Sequence, residues 1–144
     1  MHSILLSGIA QRLKPLPENK SDMITWEDFE KVDIRVGKII DIKDFPEARK
    51  PAFKLKIDFG PDIGEKYSSV QAPGAHTKEE LMGSLVCCVV NFPVKKVANF
   101  NSEVLTLGFR NAAGDPSRQG GAEAGGWVLI APKKDTVELG SKLQ

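Results

Sequence analysis

The sequence predicts an all-β protein: a five-stranded barrel with a short helix between its third and fourth strands, a helical extension at the N-terminus and an extra strand at the C-terminus. Three observations predict it. From Val32 onward the chain is a series of short runs rich in β-branched and aromatic residues, separated by turn chemistry. Phe53, Leu55, Ile57 and Phe59 alternate with Lys54, Lys56 and Asp58, the pattern of a strand with one buried and one wet face. A single well-marked helical signal interrupts the strands at 77–83, where Thr77 and Glu80 form a capping box and Gly83 supplies a stop.

Taken in order, residues 1–22 read as an N-terminal extension ending in a polar, proline-containing connector from Lys14 to Asp22. Leu5, Ile9, Leu13 and Leu16 recur at helical spacing, so the segment is either a short amphipathic helix or a disordered tail. The barrel domain spans 23–144, opening with a short helix that Thr25 caps and Asp28 completes. In the first strand Ile34, Val36, Ile40 and Ile42 share a face by period two, and Gly37 admits a bulge or sharp curvature. Phe53 to Phe59 is the second strand, and 60–64 a turn. The third runs from Glu65 to Gln71. Residues 85–92 are almost uniformly apolar, as in a central strand covered on both faces, and 104–109 form the fifth strand. Residues 111–126 hold five glycines and read as a flexible loop, after which 127–130 return as a sixth short strand. Five strands with a helix between the third and fourth is the order of an OB-fold, a partly open Greek-key barrel that binds oligonucleotides, oligosaccharides or proteins.

Composition narrows the function. A chain of 144 residues with 41% hydrophobic and 27% charged residues suffices for one ordinary domain. Its formal charge of +1 excludes capture of a polyanion by bulk charge alone, although a local basic patch remains compatible with it. No apolar run is long enough to span a bilayer, and Met1 to Ala10 lack both a leading cation and a cleavage site, so no membrane insertion and a cytoplasmic location are expected. Cys87 and Cys88 are adjacent within an apolar run, which suits core residues rather than a disulfide or a metal site. His76 stands beside a helix cap and His2 near the start of the chain, with no nucleophile at a suggestive spacing and no phosphate-cradling glycine loop. The expectation is a binding protein, not an enzyme, with no cofactor and no metal.

Three motifs carry a family resemblance. Residues 29–37 (FEKVDIRVG), 44–55 (DFPEARKPAFKL) and 90–105 (VNFPVKKVANFNSEVL) resemble, in that order, the tRNA-binding-domain superfamily, and within it most of all the CsaA family of secretion chaperones. The resemblance covers about 23–108 closely. It implies a cytoplasmic homodimer without catalytic chemistry that binds unfolded or export-bound polypeptide and is linked to the preprotein translocase. In the tRNA-binding branch the loop after the first strand resembles His-Pro-x-Ala-Asp-Lys and the start of the fifth strand resembles Ser-x-Gly-Met. Here these places read Phe45 to Lys50 and Ser102 to Leu105, so an apolar ring replaces His and the Glu103 carboxylate stands where a phosphate would pass. That departure favours the chaperone branch.

A polypeptide-binding site needs apolar anchors and polar groups for peptide backbone. The candidates are Phe45, Phe92 and Phe100 at strand ends, with Asn91, Lys95, Ser102 and Glu103 around them. Strands two and three form the usual ligand face of an OB-fold, so Lys54, Lys56, Ser68 and Gln71, with Lys95 and Lys96, are candidates for holding RNA phosphates if the partner is tRNA. The alternative for each is ordinary: a Phe that closes the barrel, a lysine on a solvated face. Burying Trp127, Val128 and Ile130 against a second copy would cover apolar surface and account for a dimer.

Overall fold

The computed structural model describes residues 16–113 and 125–144, which fall into two compact units divided between Lys31 and Val32. The first contains a 3-10 turn, Lys20–Asp22, and helix α1, Trp26–Glu30. Its start is chemically specified as expected: Thr25 Oγ1 accepts the Asp28 N–H at 3.1 Å, and the Asp28 carboxylate accepts the Thr25 N–H at 3.0 Å. The expected stripe of Leu5, Ile9 and Leu13 lies outside the described residues.

The second unit is built on a five-stranded antiparallel sheet. Its strands are β1 (Ile34–Asp44), β2 (Phe53–Asp58), β3 (Glu65–Val70), β4 (Leu85–Val89) and β7 (Leu105–Thr106), in the spatial order β3-β2-β1-β4-β7. Helix α2, Lys78–Leu81, lies between β3 and β4, capped by Thr77 and Glu80 as read from the sequence. Two hairpins complete the unit: β5 (Lys95–Val97) with β6 (Phe100–Ser102), and β8 (Gly108–Arg110) with β9 (Trp127–Leu129). The sheet curls until its edges meet. Ser68 on β3 donates to Val104 O at 3.0 Å and shares a 2.8 Å hydroxyl contact with Thr106, while the Glu103 N–H donates to Tyr67 O at 2.8 Å. The architecture is the OB-type barrel that the strand order predicts.

Inside lie Ile39, Ile42, Leu55, Ile57, Phe59, Val86, Cys88 and Val104 with their neighbours. Burial pushes the Cys88 thiol up to about 12, so it stays protonated, consistent with a core residue. The first strand departs from its expected pattern. A bulge between Ile39 and Asp41 shifts the register, so that Ile39 is fully buried and Ile40, expected inside, is half-exposed. Of the two expectations at Gly37, the bulge lies beyond it. A Cβ there would come within 2.5 Å of Ile57 Cγ2 and 2.8 Å of the Phe59 ring, so glycine lets β1 cross directly over the core.

The expected fifth strand is divided. Residues 105–106 pair with β4, and 108–110 leave to pair with β9, while the β5–β6 hairpin precedes both. Of the glycine-rich loop, residues 114–124 lie outside the described residues; its ends are tied together, with the Asn111 N–H donating to Gly126 O at 3.0 Å and the Asn111 amide to Gly125 O at 2.9 Å. The C-terminal segment closes over the start of β1: Gly140 N–H donates to Val36 O, Leu143 N–H to Ile34 O, and Arg35 bonds both the Asp33 carboxylate and Gly140 O. The hydrogen bond from Arg35 holds the Asp33 carboxyl below the usual carboxylate range.

Two outcomes follow from these contacts. Gly37→Ala lowers stability by about 1–3 kcal/mol, as overpacking does, read as a drop in the urea midpoint at unchanged slope. Because its folded-state pKa is depressed, Asp33 contributes stability that is fully present above about pH 5 and is lost as pH falls through the carboxylate range; Asp33→Asn lowers the midpoint at neutral pH and flattens its acid limb.

Candidate functional site

The outer face of β2 and β3 and the β5–β6 hairpin converge. On β2 the inward Phe53, Leu55 and Ile57 leave Lys54 and Lys56 pointing out. On β3 the same alternation buries Ser68 and Val70 and turns Tyr67 outward. The hairpin brings Phe100 beside them. Its ring meets Tyr67 edge-on at 5.9 Å between centroids and Phe45 at 5.5 Å. Lys54 Nζ lies 5.2 Å from the Phe45 centroid and 5.8 Å from that of Phe100, and Lys56 Nζ lies 5.8 Å from the Tyr67 centroid. Lys56 also pairs with Glu65 at 3.1 Å, and that hydrogen bond raises the pKa of the ammonium. The result is a partly exposed aromatic surface with two cations set over its rings.

The residues read from the sequence divide into three sets. Lys54, Lys56 and Phe100 stand together on this face. Phe45 belongs to the cluster from below: expected on an exposed loop, it is 3% exposed, because Phe100 and the Lys54 side chain cover it. Ser68 and Ser102 are corrected, and Glu103 is engaged at the same seam. Ser68 was expected on the outer groove, but it is inward and fully buried, its hydroxyl committed to Val104 and Thr106. Ser102 is buried and accepts the Ser69 N–H at 3.0 Å. The Glu103 carboxylate accepts the Tyr67 N–H at 2.9 Å, standing in for a strand partner. These three close the barrel.

The remaining candidates lie elsewhere in the unit or at its margin. Asn91 Oδ1 accepts the Asp33 N–H at 3.1 Å, which fixes the entry to β1. Phe92 is exposed, and among the described residues no ring contact joins it to Phe45, Tyr67 or Phe100. Gln71 receives the Trp127 N–H on its carbonyl at 2.8 Å. Lys95 and Lys96 are exposed on β5, opposite Ser102 and Asn101. Tyr67 was not among the predicted site residues, although period two counted back from the inward Val70 turns it outward together with Ser69.

The hairpin that presents Phe100 turns through two residues, Ala98 and Asn99, between the paired Val97 and Phe100. Ala98 has φ of +52°, a left-handed conformation that favours glycine. The backbone is therefore strained beside the ring that the candidate site depends on.

With this geometry in view, comparison with known proteins identifies the group. Residues 34–136 match the family model described as "Putative tRNA binding domain". The CsaA chaperone protein of Picrophilus torridus superposes with a TM-score of 0.71 at 46% identity, covering 85% of this chain and 100% of that one. The chain belongs to the CsaA family of the tRNA-binding-domain superfamily. Chaperone CsaA of Bacillus anthracis matches with a TM-score of 0.70 at 41% identity, covering 85% of this chain and 99% of its own. Among curated sequences, the methionine–tRNA ligase of Pyrococcus abyssi is 32% identical over 133 residues, 92% of this chain but only 16% of the ligase. The chain thus spans a small part of those synthetases and nearly the whole of the CsaA structures.

Replacing Ala98 by Gly relieves the left-handed strain, about 1–2 kcal/mol, against roughly 0.5–1 kcal/mol of added freedom in the unfolded chain. The expected net is a gain of about 0.5–1 kcal/mol in a urea titration.

Proposed function

We propose that this chain is a non-catalytic chaperone that binds unfolded or export-bound polypeptide at the Tyr67–Phe100 surface, with Lys54 and Lys56 at its rim. The observation that carries this reading is the arrangement of the rings. Edge-to-face aromatics offer apolar contact to side chains of any shape, whereas successive nucleic-acid bases need open faces on which to stack. The lysines lie over those faces, and Glu65 neutralises part of the charge that would attract phosphate. The likeness to CsaA chaperones over nearly all of their length supports the same reading.

The protein acts as a homodimer in the cytoplasm and delivers its clients to the preprotein translocase. Phe109 and Val128 face each other across the β8–β9 pair and are both exposed, an apolar surface that a second copy would cover. A second reading, tRNA binding, draws on the family description and on the methionine–tRNA ligase relatives. In it Lys54, Lys56, Lys95 and Lys96 hold phosphates.

A paired titration with an unfolded export-type polypeptide and with bulk tRNA, each at low and moderate salt, separates the two. Polypeptide binding is expected to tolerate salt, and Phe100→Ala to weaken it by about 1–3 kcal/mol. Lys95→Ala with Lys96→Ala should act chiefly on any RNA affinity, which falls steeply with salt. Tight, salt-sensitive binding of tRNA alone, or polypeptide capture that responds only to the lysine pair, overturns the chaperone reading.

A further inference from the structure

His76 sits just before α2 with a side chain only 15% exposed, and it joins two elements that are distant in sequence. Its Nε2 lies 3.1 Å from the backbone nitrogen of Leu129 on β9, and its Nδ1 lies 3.2 Å from Glu80 Oε2 on α2. A backbone amide has only a hydrogen to offer, so Nε2 must present its lone pair. The imidazole in this contact is therefore neutral, with its hydrogen on Nδ1, a buried atom that lies near the Glu80 carboxylate but makes no hydrogen bond to it. The other oxygen of Glu80 accepts the Thr77 N–H at 2.9 Å, which anchors the arrangement to the capping box.

The position of Leu129 gives this contact its consequence. Ile130 N–H donates to Leu107 O and Asn111 N–H to Gly126 O, so in the β8–β9 ladder the amides of Trp127 and Leu129 point away from β8. Both are nonetheless satisfied, Trp127 by Gln71 O and Leu129 by the His76 ring. The outer edge of β9 is thus held by one carbonyl that cannot titrate and one acceptor that can.

We propose that His76 is a proton-sensitive latch on β9, closed when the imidazole is neutral and released when Nε2 takes up a proton. A second hydrogen on the ring places donor against donor at Leu129, and that bond is lost. Among the described residues, the charged group in contact with the ring is Glu80, from α2; β9 contributes Trp127, Val128 and Leu129, and residues 71–75 are uncharged. On protonation the ring keeps its contact with Glu80 and gives up β9. Acidification therefore frees the Leu129 amide on the outer edge of β9, while the Trp127–Gln71 bond and the barrel stay closed. This latch is independent of what the aromatic face binds.

Hydrogen exchange resolved by residue tests it, with rates expressed as protection factors to remove the intrinsic effect of pH. Between about pH 8 and pH 5 the protection of Leu129 is expected to fall by about tenfold or more, while that of Val90, bonded to Asp33 O within the barrel, holds. In His76→Gln, whose amide oxygen accepts without titrating, the Leu129 protection should be flat across the range. Equal Leu129 protection at both pH values in the unaltered protein overturns the proposal, as does the same acid loss in His76→Gln. If the variant does not fold, the unaltered protein alone decides.

Discussion

The barrel depends on how β3 meets the segment 102–106. Two strands in full register would close the sheet with backbone bonds alone, but here side chains complete the seam. Ser68 reaches Val104 O and Thr106, Ser102 receives the Ser69 N–H, and the Glu103 carboxylate takes the Tyr67 N–H while its own N–H donates to Tyr67 O. Each of these groups is buried or held at the seam, where an unmet donor or acceptor is costly. The seam also sets the position of the site, because Tyr67 lies on one side of it and Phe100 is two residues before Ser102 on the other. Closing the barrel and building the aromatic surface are one event.

Much of the fold was legible in the sequence because its signals are local. The alternation through 53–59 places β2 and its lysines, and Thr77 with Glu80 places α2, since strand period and capping chemistry need no distant partner. What escaped depended on contacts far along the chain. The bulge at Ile39–Asp41 breaks a period that Ile34, Val36, Ile40 and Ile42 otherwise satisfy, and only pairing with β2 reveals it. The β5–β6 hairpin escaped for a different reason: its left-handed turn position is filled by Ala98 rather than by the glycine that marks such a turn in a sequence. The site shows the same division. Period two turns Lys54 and Lys56 outward without reference to any partner, but that Phe100 joins them depends on the β5–β6 hairpin, and Ser68 and Ser102 resemble ligand groups in sequence because a buried hydroxyl and a binding hydroxyl are written with the same letter.

The electrostatics of the face follow from this geometry rather than from net charge. A formal charge of +1 says little about a surface where each outward lysine of β2 has a ring beneath it and one also has a carboxylate beside it. An ammonium held over an aromatic face is partly satisfied before any ligand arrives, so its attraction for phosphate is reduced, and its alkyl stem extends the apolar area. The same two lysines therefore define the edge of an apolar surface more than they form a basic patch.

Asn111 joins Gly125 and Gly126 through its amide and its backbone, so the chain leaves β8 and re-enters β9 at points already bonded to each other. The cost of closing the intervening segment is consequently carried by these local bonds, and it grows only by about 0.6 kcal/mol for each doubling of length. Loop closure therefore depends only weakly on the number of residues between these bonds. Such a junction lets a lineage lengthen, shorten or replace the excursion without retuning the core, and gives the protein engineer a natural port for a reporter or a second domain.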